Sequence, residues 1–146
     1  MRTVATAPSA SAVATQKWPK NPKACALNPA SAEAYNNRGV AYKHLGRLEQ
    51  AIEDYSRAVE WNPRFGLAYC NRGIALGMQG KTGDAISDFS AALSLQPALT
   101  QALLERGRAY ARVGRRDLAK EDLWQACEQS SVETCAELRS LGGRGR

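Results

Sequence analysis

Few side chains of this chain could support catalysis. The single histidine, His44, falls near the predicted end of a helix, where the helix dipole favours a cation. Sequence neighbours form no Ser/His/Asp or Cys/His set, and the turn at residues 80–83 lacks the strand and helix that a phosphate-binding loop requires. The sequence therefore predicts that the protein is not an enzyme and holds no cofactor.

The four cysteines are Cys25, Cys70, Cys127 and Cys135. They form no CxxC motif, and their spacing does not suit zinc, so we expect no metal site. Cys127 and Cys135 fall at the end of one predicted helix and the start of the next, across a short turn. They could form a disulfide, which would favour an exported compartment, or pack as two buried thiols. The sequence leaves both alternatives open.

The elements that position these residues repeat with a stride of 34 residues, which indicates stacked units that bury their apolar faces against one another. The repeating positions are Gly39, Gly73 and Gly107; Ala51, Ala85 and Ala119; Ala58, Ala92 and Ala126; and Pro63 and Pro97.

Apolar residues recur at helical spacing between glycine and proline breaks, which predicts a chain built of helices. The predicted helices are 31–45, 48–61, 66–79, 83–95, 100–113, 117–128 and 132–141. We expect an irregular basic arm at 1–28, three repeats within 29–131 (about 32–65, 66–99 and 100–131), and a capping helix with a basic tail at 132–146.

The net charge of +6 is concentrated in the N-terminal arm. Residues 1–32 carry four basic side chains and no acid, whereas residues 33–146 carry the other 16 against all 14 acids, a balance of +2. Nearly neutral repeats argue against nucleic-acid binding. No apolar run is long enough to span a membrane. The arm resembles a signal or transit segment only weakly, so the compartment stays open.

Within each unit, the constant stride places aromatic, glycine, alanine and proline residues in a pattern that resembles the tetratricopeptide repeat. The matching residues are Tyr35, Gly39, Tyr42, Ala51, Tyr55, Ala58 and Pro63; then Tyr69, Gly73, Leu76, Ala85, Phe89, Ala92 and Pro97; then Leu103, Gly107, Tyr110, Ala119, Leu123 and Ala126, with Ser131 in place of proline. The resemblance implies an all-α, right-handed superhelical solenoid of three antiparallel helix pairs with a capping helix. It also implies a concave groove lined by the first helix of each pair.

One departure from that pattern is informative, because arginine replaces the leucine that precedes each glycine. A stride-matched aspartate accompanies each arginine, and the two lie opposite each other in an antiparallel helix pair. We predict three ion pairs within the repeats, and the alternative is an arginine ladder presented to an acidic ligand. The predicted pairs are Arg38–Asp54, Arg72–Asp88 and Arg106–Asp122.

Members of this family bind peptide segments in the groove, and the free faces of the first helices indicate its lining. We expect the ligand to carry an apolar anchor and an acid near the third unit. The expected lining residues are Asn36, Asn37, Val40, Lys43, Cys70, Asn71, Ile74, Met78, Gln101, Glu105, Arg108 and Arg112. Asn37 and Asn71, one stride apart, suit peptide-backbone binding, or are simply solvated.

Chaperone-adaptor members of the family bind a C-terminal carboxylate through five polar side chains. The matching positions here are Asn36, Val40, Asn71, Gln101 and Glu105. Of these, Asn71 alone agrees, and Glu105 would repel a carboxylate. We therefore do not expect binding to the tails of heat-shock chaperones.

These observations predict a non-enzymatic adaptor or scaffold that binds a peptide segment of another protein, with no nucleic acid and no membrane span. The alternative is a structural subunit built permanently into a larger assembly through its outer faces and N-terminal arm. A third possibility is a regulatory fragment of an enzyme.

Overall fold

The computed structural model describes residues 30–129 and 132–141, and within these ranges it contains seven helices and no strand. The helices are α1 (Ala30–His44), α2 (Leu48–Trp61), α3 (Gly66–Met78), α4 (Thr82–Leu95), α5 (Thr100–Arg112), α6 (Arg116–Gln129) and α7 (Val132–Ser140). The all-α solenoid predicted from the sequence is confirmed, and each helix end lies within one residue of its prediction. The predicted arm at 1–28, with Cys25, and the basic tail after residue 141 lie outside the described residues.

The two helices of each unit are joined by a tight turn that requires glycine. Gly46, Gly80 and Gly114 have φ angles of 78°, 84° and 84°. In this left-handed conformation the next residue donates its amide to a carbonyl in the last helical turn, as Arg47 does to Tyr42 at 2.9 Å. The paired helices therefore run antiparallel.

A second set of glycines lets the two helices of each unit approach closely. A Cβ placed on Gly73 would lie 2.7 Å from a ring carbon of Phe89, and one on Gly107 would lie 2.8 Å from Cγ of Leu123. Buried alanines such as Ala85 and Ala92 line the same crossing. Small residues here determine how tightly each pair packs, because any larger side chain meets the partner helix.

Successive units stack so that the helices pair in chain order, with α2 against α3, α4 against α5, and α6 against α7. The first helices of neighbouring units also touch, α1 with α3 and α3 with α5. These three helices form one face, which we call the groove. No helix among the described residues is both long enough and apolar enough to cross a membrane.

Candidate functional site

The arginines that precede the glycines are paired with aspartates of their own unit. Arg72 donates from Nε to Asp88 at 2.7 Å and from Nη2 at 2.9 Å, and Arg106 binds Asp122 the same way at 2.6 and 2.8 Å. Arg38 and Asp54 form the third pair, at 2.5 and 2.7 Å. Bidentate geometry of this kind gives the strongest form of the charge-assisted hydrogen bond.

Burial and hydrogen bonding together determine the electrostatics of these pairs. Desolvation raises the pKa of Asp54, whose residue is 2% exposed, and its hydrogen bonds with Arg38 act in the opposite direction. The hydrogen bond to Asp88 raises the pKa of Arg72. Each guanidinium also lies over a tyrosine ring, at 5.6 Å for Arg72 and Tyr69. These arginines therefore form ion pairs within the units. They are not presented to the groove as a ladder of free cations.

Two of these arginines also connect neighbouring units. Arg72 Nη1 donates to Oγ of Ser56 at 3.1 Å, and Arg106 Nη1 donates to Oγ of Ser90 at 3.0 Å. Both serines belong to the second helix of the preceding unit. Arg72 and Arg106 thus each fix their own helix pair and the position of that pair on the previous one.

Two of the predicted groove residues are buried, which corrects their assignment. Cys70 is fully buried in a cluster with Ala102 and Leu103, and burial raises its pKa to about 12. Asn36 is 4% exposed and accepts a hydrogen bond from Nδ2 of Asn71 at 3.0 Å. Each of these first helices is covered by its own partner helix and by the next unit, so only a narrow strip of it faces the groove.

The remaining predicted residues of α1 lie at varying depth. Asn37 is exposed, and Val40 and Lys43 are half-buried. Val40 packs against the cluster that contains Tyr42 and Tyr55. Asn71, in contrast, is held by Asn36, so the two asparagines one stride apart have different surroundings.

A small cavity opens between α3 and α5. Its volume is about 90 Å³. Its lining includes Ile74, Gly77 and Met78 of α3, Ala85 and Phe89 of α4, and Glu105, Ala109 and Arg112 of α5. Gly77 leaves this space open, since a Cβ there would meet only Ala85 and Arg112, both at 3.9 Å. Sequence reasoning identified Ile74, Met78, Glu105 and Arg112 but missed Gly77. The available signal was a helical glycine that does not follow the stride.

The third-unit end of the groove is less basic than the sequence indicated. Arg108 donates from Nε to Glu137 of α7 at 2.8 Å and from Nη1 to Glu105 at 3.1 Å. The hydrogen bond with Glu137 is the main cause that raises the pKa of Arg108. Gln101 also binds Glu105, at 3.2 Å. Arg112 is exposed at the cavity, while Arg108 is already occupied by carboxylates.

The structure joins Cys127 and Cys135 in a disulfide, with their Cα atoms 4.9 Å apart. The bond links the end of α6 to α7, which packs on α6. Both cysteines are half-buried, and because they are bonded to each other neither is a thiol.

Comparison with known proteins agrees with this architecture. Two family models described as tetratricopeptide repeat match residues 32–65 and 55–87. No curated protein matches the sequence significantly.

Several solved structures are similar over most of the chain. The first such repeat domain of Spaghetti (RPAP3), bound to the HSP90 peptide SRMEEVD, is 26% identical with a TM-score of 0.76, covering 79% of this chain and 93% of that one. MamA is 29% identical with a TM-score of 0.66, covering 77% of this chain and 65% of its own. The Arabidopsis OM64 repeat domain, 22% identical with a TM-score of 0.76 over 79% and 97% of the two chains, shares the fold.

Proposed function

Because the chain is a tetratricopeptide repeat protein, we propose that it is an adaptor that binds a peptide segment of a partner protein in the groove formed by α1, α3 and α5. The family and its structural neighbours are protein-interaction modules and are typically non-enzymatic. The finer proposal concerns where the segment lies and which side chains it presents.

The observation that carries the proposal is the cavity between α3 and α5. Its interior is apolar at Ile74 and Ala109, and its volume of about 90 Å³ suits one aliphatic side chain. Arg112 stands at the rim with its side chain exposed. An apolar residue in the cavity would place a following carboxylate beside that guanidinium, where a charge-assisted hydrogen bond can form. The ligand class we propose is an internal segment in which an aliphatic residue precedes acids.

The structural neighbour bound to an HSP90 peptide supports peptide binding in general. This chain, however, differs at the positions that are expected to receive a terminal carboxylate. Glu105 carries the wrong charge, and Asn36 is buried and hydrogen-bonded to Asn71. We therefore propose that a free C-terminus contributes nothing to recognition here.

Capped peptides test the proposal directly. We expect acetyl-GSLEEGS-amide to shift the NMR amide signals of Ile74, Gly77 and Ala109, and acetyl-GSSEEGS-amide to bind about tenfold more weakly, since burial of a leucine side chain stabilises by about 1.5–3 kcal/mol. SRMEEVD and its C-terminal amide should bind equally.

Two variants and a control localise the site. Gly77→Leu fills the cavity and Arg112→Gln removes the rim charge, so each should weaken binding of the leucine peptide. Arg115→Gln removes the same charge at the exposed α5–α6 turn and should have no effect. Signal changes confined to α2 or α6, or equal binding by all three variants, would contradict the proposal.

A second candidate is a subunit of a permanent assembly, favoured by exposed apolar side chains outside the groove. Leu118 and Trp124, both on α6, are 36% and 37% exposed. Such a subunit should self-associate or precipitate when purified alone, whereas an adaptor should sediment as a monomer.

A further inference from the structure

The C-terminal helix α7 contributes a side chain to the groove. Glu137 extends from α7 to Arg108 on α5 and accepts hydrogen bonds from Nε and Nη2 of the same guanidinium. The side chains of this pair are 39% and 33% exposed, so water and solutes reach the contact. An intramolecular carboxylate therefore lies where the third unit would otherwise offer a cation.

The charges at this end of the groove sum to zero while α7 is in place. Arg108 and Arg112 contribute +2, and Glu105 and Glu137 contribute −2. Removing Glu137 alone leaves a balance of +1 and vacates Nε and Nη2 of Arg108. Displacement of α7 would thus convert a neutral surface into one that attracts acids.

Two features besides Glu137 hold α7, and one of them is covalent. Leu138 is buried among the residues that hold α7 in place. The packing is incomplete, however, because a cavity of about 270 Å³ remains between α5, α6 and α7, where Leu123 and Leu141 line its wall. A helix of nine residues is not stable alone, so its position depends on these contacts and on the Cys127–Cys135 disulfide.

We propose that α7 is a redox-controlled internal competitor of the groove, in which Glu137 blocks Arg108 to acidic ligands while the Cys127–Cys135 disulfide is intact. This inference rests on the proposed function, because it regulates the same groove. Reduction releases α7 and removes Glu137 from Arg108. Arg108 then becomes a second cation, beside Arg112, that can bind the acids that follow the aliphatic anchor of the ligand.

The chemical step is thiol–disulfide exchange with a dithiol reductant. A thiolate of the reductant attacks one sulfur of the half-buried disulfide, and the other sulfur leaves as a thiolate. The second thiol of the reductant then resolves the mixed disulfide. Two electrons and two protons pass to Cys127 and Cys135, which become thiols, and the reductant becomes a disulfide.

The experiment compares four forms of the full chain: oxidised, reduced with dithiothreitol, oxidised Glu137→Gln, and the Cys127→Ser/Cys135→Ser double variant. The probes are acetyl-GSLEEGS-amide and its uncharged counterpart acetyl-GSLQQGS-amide. We expect the last three forms to bind the acidic probe about fivefold more tightly than the oxidised protein, and all four to bind the uncharged probe equally. Glu60→Gln, which removes an exposed acid on α2, is the charge-matched control and should behave as the oxidised protein does.

Hydrogen exchange of the α7 amides gives a readout that needs no ligand. Reduction should accelerate exchange at residues 135–141 and leave α3 unchanged. Unaltered α7 exchange, or equal binding of the acidic probe by all four forms, would overturn this inference while leaving groove binding intact. Failure of every form to bind either probe would instead contradict the proposed function, and this inference with it.

Discussion

Two glycines of the same helix should respond in opposite ways to alanine. Gly73 lies where α3 crosses α4, and an added Cβ would stand 2.7, 2.9 and 3.1 Å from three ring atoms of Phe89. Gly77, one turn later, would place its Cβ no closer than 3.9 Å to any such neighbour. Gly73→Ala should therefore destabilise the fold and Gly77→Ala should not.

The expected difference in stability between the two variants follows from two opposing effects, a gain in helix propensity and a cost of overpacking. Both variants gain helix propensity, by up to about 1 kcal/mol and less for Gly77 because α3 ends at Met78. Gly73→Ala also forces the Phe89 ring to move by several tenths of an ångström, and that ring is buried, at 2% exposed. Overpacking of this kind costs about 1–3 kcal/mol. We expect Gly73→Ala to unfold at a temperature roughly 10 °C below that of Gly77→Ala, from about 2 kcal/mol and the usual dependence for a domain of this size.

Thermal and urea unfolding followed by circular dichroism measure this difference. The urea midpoint should fall for Gly73→Ala with no change in slope, since the surface exposed on unfolding is the same. Gly73→Ala combined with Phe89→Leu, which gives the new methyl group room, should recover part of the loss relative to Phe89→Leu alone. Equal midpoints for the two alanine variants would refute the close-crossing argument.

Three further predictions follow from the buried polar groups. Asp88→Asn should lower stability by about 1–3 kcal/mol, because it leaves the half-buried guanidinium of Arg72 without its carboxylate partner. Glu53→Gln, in an exposed pair, should change stability by less than about 0.5 kcal/mol, and equal losses in denaturant titrations would contradict this. Burial raises the pKa of Cys70 from about 9 to about 12, so the unfolded thiol ionises first and its contribution to stability is lost as pH rises through that range. Urea midpoints of Cys70→Ala should decline less steeply over this range than those of the parent, and parallel curves would refute the assignment. Asn36→Ala should cost about 1 kcal/mol and shift the side-chain amide NMR signals of Asn71, and unchanged signals would exclude the hydrogen bond between them.

The fold could be predicted from the sequence because its determinants are local and repeated. Glycine at Gly46, Gly80 and Gly114 ends each first helix in a conformation that other residues rarely adopt. The alanine and aromatic stripes repeat in phase, so each unit predicts the next. Periodicity of this kind specifies which helices pair and in what order.

The groove could be predicted only in part, because depth along a helix face depends on the neighbouring unit. Cys70 and Asn36 lie on the expected side of their helices, yet the adjacent helix covers both. Glu137 was missed because its contact with Arg108 joins residues 29 positions apart across two helix boundaries, outside the stride. The cavity at Gly77 required the relative placement of α3 and α5, which no local pattern gives.

The serine contacts of the arginines give the array a direction. Each bond runs from an arginine back to the unit before it, from Arg72 to Ser56 and from Arg106 to Ser90. In a linear array, the free energy of unfolding is approximately the sum of the stability of each unit and the stability of each interface between neighbouring units. The arginine–serine bonds contribute to the interfaces.

In the last unit, the position equivalent to Ser56 and Ser90 is Trp124. Tandem duplication of residues 66–99 would therefore lengthen the protein with every hydroxyl joint preserved. Duplication of residues 100–131 would place an indole at the new joint, so the third unit acts as a terminator that limits how far the array can grow.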